Sequence, residues 1–175
     1  MADVTYLGSN KKAGGAPALP AGESSVVHCL MIPLTTDILL LPNAAIAEVV
    51  AARQPEPVEA TPNWFLGRFD WREYKVPVIA FETLNGDIEG EVSINRNGRI
   101  AILNTLNGNS RLPYVGLMTQ GIPRLQVVQS KALEANPETE DRKTPYISEL
   151  VMVNGEPVSI PNIDMLERVV QELSL

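Results

Sequence analysis

The chain has 175 residues, 45% apolar and 20% charged, an ordinary globular balance, and is long enough to bury roughly 70% of its unfolded surface. Fourteen basic against 21 acidic residues leave a net charge of −7, the wrong sign for a phosphate backbone, and no Lys/Arg stripe offsets it, so nucleic acid is not an expected partner. The single cysteine, Cys29, has no internal disulfide partner, which fits a reducing cytosol.

The opening "MADVTYLGSNKK" has no basic stretch followed by an apolar core, so no signal peptide is expected. Residues 8–25, "GSNKKAGGAPALPAGESS", hold almost nothing large to bury, and ordering them would cost more conformational entropy than burial returns. Residues 1–25 therefore read as a flexible tail, and 26–175 as one domain or two tightly joined lobes. From Val26 onward the chain turns to short β-branched and Leu-rich runs, at 26–34, 37–42, 74–81, 92–95, 99–104, 111–118, 122–129, 147–153 and 156–160. These read as strands.

The first run, "VVHCLMI", carries the only histidine, His28, beside Cys29. Neighbours on a strand point to opposite faces, so the two cannot easily form a catalytic pair. Residues 38–52 are the most apolar stretch, but Pro42, Asn43 and Glu48 break them and they fall short of the roughly 20 apolar residues of a spanning helix. Direct membrane insertion is not expected. Within "PNAAIAEVVAA", Asn43 is placed to cap a short helix running to about Val50. Next comes "TPNWFLGRF", an aromatic-flanked turn into a strand, where Trp64 and Phe65 are core anchors or the edge of a groove. "DWREYKVPVIAF" follows, with an apolar second half that suits a strand covered on both faces.

Asn-Gly pairs at 85–86, 97–98, 107–108 and 154–155 suit the positive φ of tight turns, and the last three join adjacent runs. Pro33, Pro77, Pro113, Pro123 and Pro157 sit in or beside strands and predict edges, strand starts or bulges. So many interruptions favour small curved barrels over a broad flat sheet. Residues 134–146 read as an exposed polar loop. In "PNIDMLERVVQELSL", Ile163, Leu166, Val169, Val170 and Leu173 share one helical face behind an Asn162 cap and an acidic first turn at Asp164. A weak echo links "YKVPVIAFETL" to "NGEPVSIPNIDML" and would suit two lobes built alike.

Catalytic signatures are missing. There is no second histidine for a two-histidine metal site, no G-x-S-x-G elbow, no phosphate loop and no G-x-G-x-x-G. Asp87, Glu89 and Glu91 lack the further oxygen donors at fixed spacing of a calcium site and read as a solvated turn. No metal, cofactor or enzymatic activity is expected. A small-molecule-binding or hydrolytic β-barrel, with His28 or Trp64 and Trp71 lining a pocket, is the alternative; a self-assembling barrel is the third reading.

Taken with "LLLPNAAIAEVV", the stretch "TPNWFLGRFDWREYKVPVIAF" resembles the CheW-like family of chemotaxis coupling proteins. Ile46 and Glu48 stand at the family's Val-x-Glu positions, Pro62 and Gly67 at its Pro-x-x-x-x-Gly turn, Arg72 at its arginine, and Val76, Pro77, Val78 and Ile79 in its Val-Pro-Val strand. Among relatives the chain looks most like the accessory coupling proteins of pilus-type chemosensory systems. The resemblance implies a mainly β fold of two five-stranded SH3-like barrels, with a few short helices including a C-terminal one, and a groove between the barrels. It implies a non-enzymatic adaptor in the cytoplasm, held at membrane-bound receptor arrays through its partners. Those partners are the cytoplasmic tip of a methyl-accepting chemoreceptor and the regulatory domain of a CheA-type histidine kinase. Carried over, the receptor- and kinase-coupling surface comprises Ile46, Glu48, Gly67 and Arg72. Two departures stand out: Glu73 replaces the family glycine after the arginine, and Asp70 replaces its asparagine. Glutamate tolerates positive φ poorly, so the turn geometry there is expected to differ.

Overall fold

A computed structural model describes residues 26–90, 92–129, 133–135 and 143–173. The expected tail at 1–25, Glu91 and most of the expected 134–146 loop lie outside the described residues. Strands β1 (Val26–Pro33) and β2 (Ile38–Pro42) form an antiparallel hairpin. Then come β3 (Ile46–Ala51), β4 (Phe65–Trp71), β5 (Tyr74–Ile79) and a short helix α1 (Phe81–Asn85). A second hairpin of β6 (Arg99–Asn104) and β7 (Tyr114–Thr119) is followed by β8 (Arg124–Gln129) and the two-residue β9 (Glu134–Ala135). The chain closes with β10 (Ile147–Val153), β11 (Glu156–Pro161) and helix α2 (Ile163–Glu172).

Two sheets result, one ordered β8-β1-β2-β11-β10-β9 and the other β3-β6-β7-β5-β4. Both follow one plan: a hairpin, a lone strand, then a hairpin followed by a helix. That plan occurs twice along the chain, as β1 to α1 and as β6 to α2. Each sheet takes its first hairpin from one repeat and its remaining strands from the other, so the repeats are interlocked. The weak echo between "VPVIAF" and "EPVSIP" corresponds to β5 and β11, which occupy equivalent positions and each pair in parallel with the opposite repeat's hairpin.

Alternation along the strands explains how both sheets become buried on two faces. In β1, Cys29 and Met31 point one way and Leu30 and Ile32 the other; in β6, Ile100 and Ile102 oppose Ala101 and Leu103. Facing sides build a central layer from both sheets, including Ile32, Leu39, Leu41, Phe65, Phe81, Leu103 and Leu117. Sixteen buried apolar residues lie in that layer, against seven and six in the separate cores on the two far faces, so pulling the lobes apart would expose the largest core. Each such residue contributes about 1.5–3 kcal/mol through burial.

Several sequence expectations are corrected here. The expected helix from Asn43 to Val50 is a 3-10 turn over Asn43–Ala45 followed by β3, and the Asn43 side chain caps nothing. β-Branched Ile46, Val49 and Val50 find partners 50 to 57 residues away in β6, and that long-range pairing overrides the local alanine-rich pattern. Residues 92–95 form no strand; Asn95 instead closes a turn, accepting from the Asn97 N–H at 2.7 Å. Phe81 belongs to α1 rather than to the end of a strand, and Glu134 and Ala135 pair with β10 rather than lying in a loop. Pro77 sits in the middle of an interior strand, not at an edge, whereas Pro157 lies near the start of β11, as expected; on each, the parallel pairing begins only after the proline, at Val78 and Ser159. The Asn154-Gly155 turn is as expected, with φ of 52° and 81°. So is α2, where the Asn162 side chain accepts from the Met165 N–H at 3.2 Å.

Two buried carboxylates tie the two sheets together. Glu82 of α1 accepts from the Thr36 N–H at 2.8 Å and from the hydroxyls of Thr35 and Thr36, all in the β1–β2 turn of the other sheet. Glu167 of α2, fully buried, accepts from the N–H groups of Leu106 and Asn107 at 3.0 and 3.2 Å, from the Asn107 amide and from Gln171. Each helix thus grips the hairpin loop that begins its own repeat but lies in the opposite sheet. A buried carboxylate is tolerated only when its lone pairs are satisfied in this way. Glu167→Leu, which leaves the Leu106 and Asn107 N–H groups without their acceptor, is expected to lower stability by about 2 kcal/mol in urea unfolding; a loss below about 0.5 kcal/mol would mean that water serves those amides equally well.

Candidate functional site

Glu48 lies on β3 and Arg72 in the two-residue turn joining β4 to β5. A bulge between Ile46 and Glu48 decides which way each points. Ile46 packs half-buried against the central layer, whereas Glu48 pairs with Ile102 on the far face of the sheet and reaches the end of β4. One carboxylate oxygen there accepts two hydrogen bonds, from the Trp71 indole N–H at 2.9 Å and from the Arg72 guanidinium at 3.0 Å. The guanidinium lies over the Trp71 ring, 4.4 Å from its centroid.

Aromatic rings extend this arrangement. Tyr114, at the start of β7, meets Trp71 and Tyr74 edge-on, with both centroid distances 4.9 Å. Trp71 is buried and Tyr74 is 43% exposed, so the cluster runs from the core to the surface. The ion pair itself is well exposed, with side-chain accessibilities of 64% for Arg72 and 42% for Glu48. Such a pair contributes about 0–1 kcal/mol and the cation–ring contact about 0.5–1 kcal/mol. Their effect is therefore positional: the arginine is held in one orientation at the surface.

Turn geometry at the Glu73 departure is now clear. The positive φ falls on Arg72, at 53°, and Glu73 does not carry it. A non-glycine residue in the left-handed region costs about 1–2 kcal/mol, which the contacts to Glu48 and Trp71 help offset. Asp70 adds no unpaired charge, because Lys75 lies 3.2 Å from it and 3.1 Å from Glu56. Glu56, then Asp70, hold the Lys75 ammonium above its ordinary pKa.

Gly67 occupies a different setting. It is buried at a bulge in β4, with φ 126°, beside the place where Glu56 and Arg68 exchange backbone hydrogen bonds of 2.7 and 2.8 Å. A Cβ there would stand 2.2 Å from the Glu56 carbonyl oxygen. The structure thus joins Glu48 to Arg72, places Ile46 on the opposite face of β3, and uses Gly67 to admit a crossing backbone. Trp71 as the anchor of Glu48, and the Tyr74–Tyr114 contact, were missed in the sequence; the readable signal was aromatic residues flanking the arginine on both sides of a tight turn.

Residues of the pocket alternative do not converge. Trp64 packs on Phe65 and the central layer, while Trp71 belongs to the far-face core. His28 is exposed on the face of β1 opposite to buried Cys29, whose thiol burial pushes above its ordinary pKa. Among the described residues no cluster of His, Cys, Asp or Glu could hold a metal ion.

A family model described as the CheW-like domain matches residues 28–170. The chain belongs to that family. Among solved structures, the CheW-like chain resembles the scaffolding protein TtCheW from Thermoanaerobacter tengcongensis, with a TM-score of 0.68 and 18% identity over 81% of this chain and 92% of that one. At that identity the likeness establishes the fold: the two sheets, one carrying the extra β9, correspond to the two expected SH3-like units of a CheW-like protein. No curated protein matches significantly. Family membership makes the chain a CheW-like scaffold protein of chemotaxis.

Gly67→Ala is expected to cost about 3 kcal/mol or more, because backbone cannot yield as a side chain can. Chemical denaturation measures this, and an unchanged midpoint would show that the Glu56–Pro57 segment moves aside freely.

Proposed function

We propose that this CheW-like chain is a non-enzymatic adaptor that joins a methyl-accepting chemoreceptor tip to the regulatory domain of a CheA-type histidine kinase. The observation that carries the reading is the Glu48–Trp71–Arg72 arrangement in a chain of this family, with Glu48 and Arg72 at positions the family resemblance singles out. An arginine clamped on one side by a carboxylate and beneath by an indole offers its remaining N–H groups in a fixed direction, which suits orientation and partner discrimination more than raw affinity. Exposed Tyr74 beside it supplies the aromatic surface typical of interface hot spots. Ile46 and Gly67 belong to the coupling region indirectly, by setting the bulges that aim Glu48 and place the β4–β5 turn.

The protein works in the cytoplasm, held at receptor arrays through its partners; no helix among the described residues is long and apolar enough to cross a membrane. Resemblance to the accessory coupling proteins of pilus systems supports an output to type IV pilus motility.

Arg72→Ala is the cleaner test of the surface, since Glu48 also satisfies a buried indole N–H and its loss would leave that donor orphaned at about 1–3 kcal/mol. The folded Arg72→Ala protein is expected to lose co-sedimentation with receptor cytoplasmic fragments and the kinase regulatory domain. Full retention would remove Arg72 from the coupling surface. For the pathway, deletion of the gene is expected to reduce pilus-driven surface movement and to spare flagellar swimming; the reverse pattern would overturn the pilus assignment.

A further inference from the structure

A cleft of about 620 Å³ opens between the β4–β5 hairpin, the loop joining β6 to β7, and α2. Arg68 of β4, Lys75 of β5 and Arg111 of the loop bring cations to it, while Pro77, Leu112 and Val170 give it an apolar lining. Lys75 is already held by Glu56 and Asp70. Arg68 and Arg111 are different: among the described residues neither guanidinium has a carboxylate within ion-pair distance. In a chain of net charge −7, two unpaired arginines therefore share one concavity, where a cleft focuses their field.

Size and chemistry narrow the occupant. The volume lies in the range of about 300–1,000 Å³ that takes a small ligand or a few side chains, and is too small for a folded domain. Planar guanidinium groups match carboxylates two hydrogen bonds at a time, and the apolar lining calls for an aliphatic side chain between the acids. We propose that this cleft is a docking site for an acidic peptide segment of a partner protein, its carboxylates on Arg68 and Arg111 and an aliphatic side chain on Leu112 and Val170. The site is separate from the Glu48–Arg72 surface. Arg68 and Lys75 face the side of the hairpin that Ile79 shares, whereas Trp71 and Val76 face the other.

Fluorescence anisotropy on the full chain tests this, with a labelled probe peptide of alternating Glu and Leu, and Lys/Leu and Glu/Ser peptides of equal length for comparison. The Glu/Leu peptide is expected to bind, and to bind more weakly as salt is raised. Arg68→Ala and Arg111→Ala should each weaken binding about tenfold, the loss of one charge-assisted contact. Arg124→Ala, which removes the same charge from the other sheet, should leave it unchanged. Arg111 lies exposed on a loop, so its substitution does not endanger the fold. Equal binding of the Lys/Leu peptide, or full affinity in both arginine variants, would overturn the proposal. If the Glu/Ser peptide or inorganic pyrophosphate binds as tightly as Glu/Leu, the cleft is a plain anion site and the peptide reading falls. Peptide binding needs neither receptor nor kinase, so these outcomes are independent of the co-sedimentation result.

Discussion

The apolar layer between the two sheets is the constraint from which the rest of the molecule follows. Because each sheet is completed by strands from both repeats, neither sheet can form before the chain has passed through most of its length. The central layer draws on both sheets and holds the largest of the three buried clusters. Glu82 and Glu167 sit at its two ends, each fixing a hairpin loop of the opposite sheet to a helix. With the sheets locked face to face, every strand end that emerges from the layer has a defined position. This matters for an adaptor, whose contribution to signalling is the geometry it imposes on others.

The Glu48 cluster shows how that rigidity reaches the surface. Trp71 is buried in the far-face core, and its indole N–H needs a partner that only Glu48 supplies. Glu48 is thus oriented from the inside, and Arg72 takes its orientation from Glu48 and from the ring beneath. None of these contacts is strong alone, and the exposed ion pair weakens further with salt. Together they convert a flexible side chain into a directed one, with a left-handed backbone at Arg72 as the local cost. Glycine at the next position, as in the family pattern, would offer another way to turn; here the strain is carried by the arginine itself.

Elements whose signal is local were legible in the sequence. The Asn154-Gly155 hairpin and α2 follow from turn chemistry, capping and helical periodicity within a few residues. β3 was not legible, because alanines at 44, 45 and 47 read as helical and nothing nearby shows that Val49 and Val50 will meet Ala101 and Ile100. The interlocking of repeats left only a weak trace, since β5 and β11 share a Pro-Val step and little else. At the site, Glu48 and Arg72 came from the family resemblance rather than from spacing, and no residue pattern predicts that a bulge turns Glu48 away from Ile46. Trp71 was visible as an aromatic but not as a hydrogen-bond donor to Glu48. Glu167 gave no signal at all: on a helical wheel an acid beside Leu166 looks solvated, and only the loop from the other sheet makes its burial favourable.

The β4–β5 hairpin carries both proposed recognition features, and alternation keeps them apart. One face presents Trp71 with its clamped arginine; the other presents Arg68 and Lys75 over the cleft bounded by α2. The electrostatics of the two differ in kind. Arg72 is neutralised by Glu48 and so contributes direction, whereas Arg68 and Arg111 remain uncompensated and attract negative charge at a distance of about a Debye length, ~8 Å at physiological salt. A partner approaching the cleft is steered by charge, and one approaching the aromatic face is selected by fit. Since the hairpin is pinned at its base by the Gly67 crossing and at its side by parallel pairing with β7, the relative orientation of its two faces is set by backbone rather than by side chains.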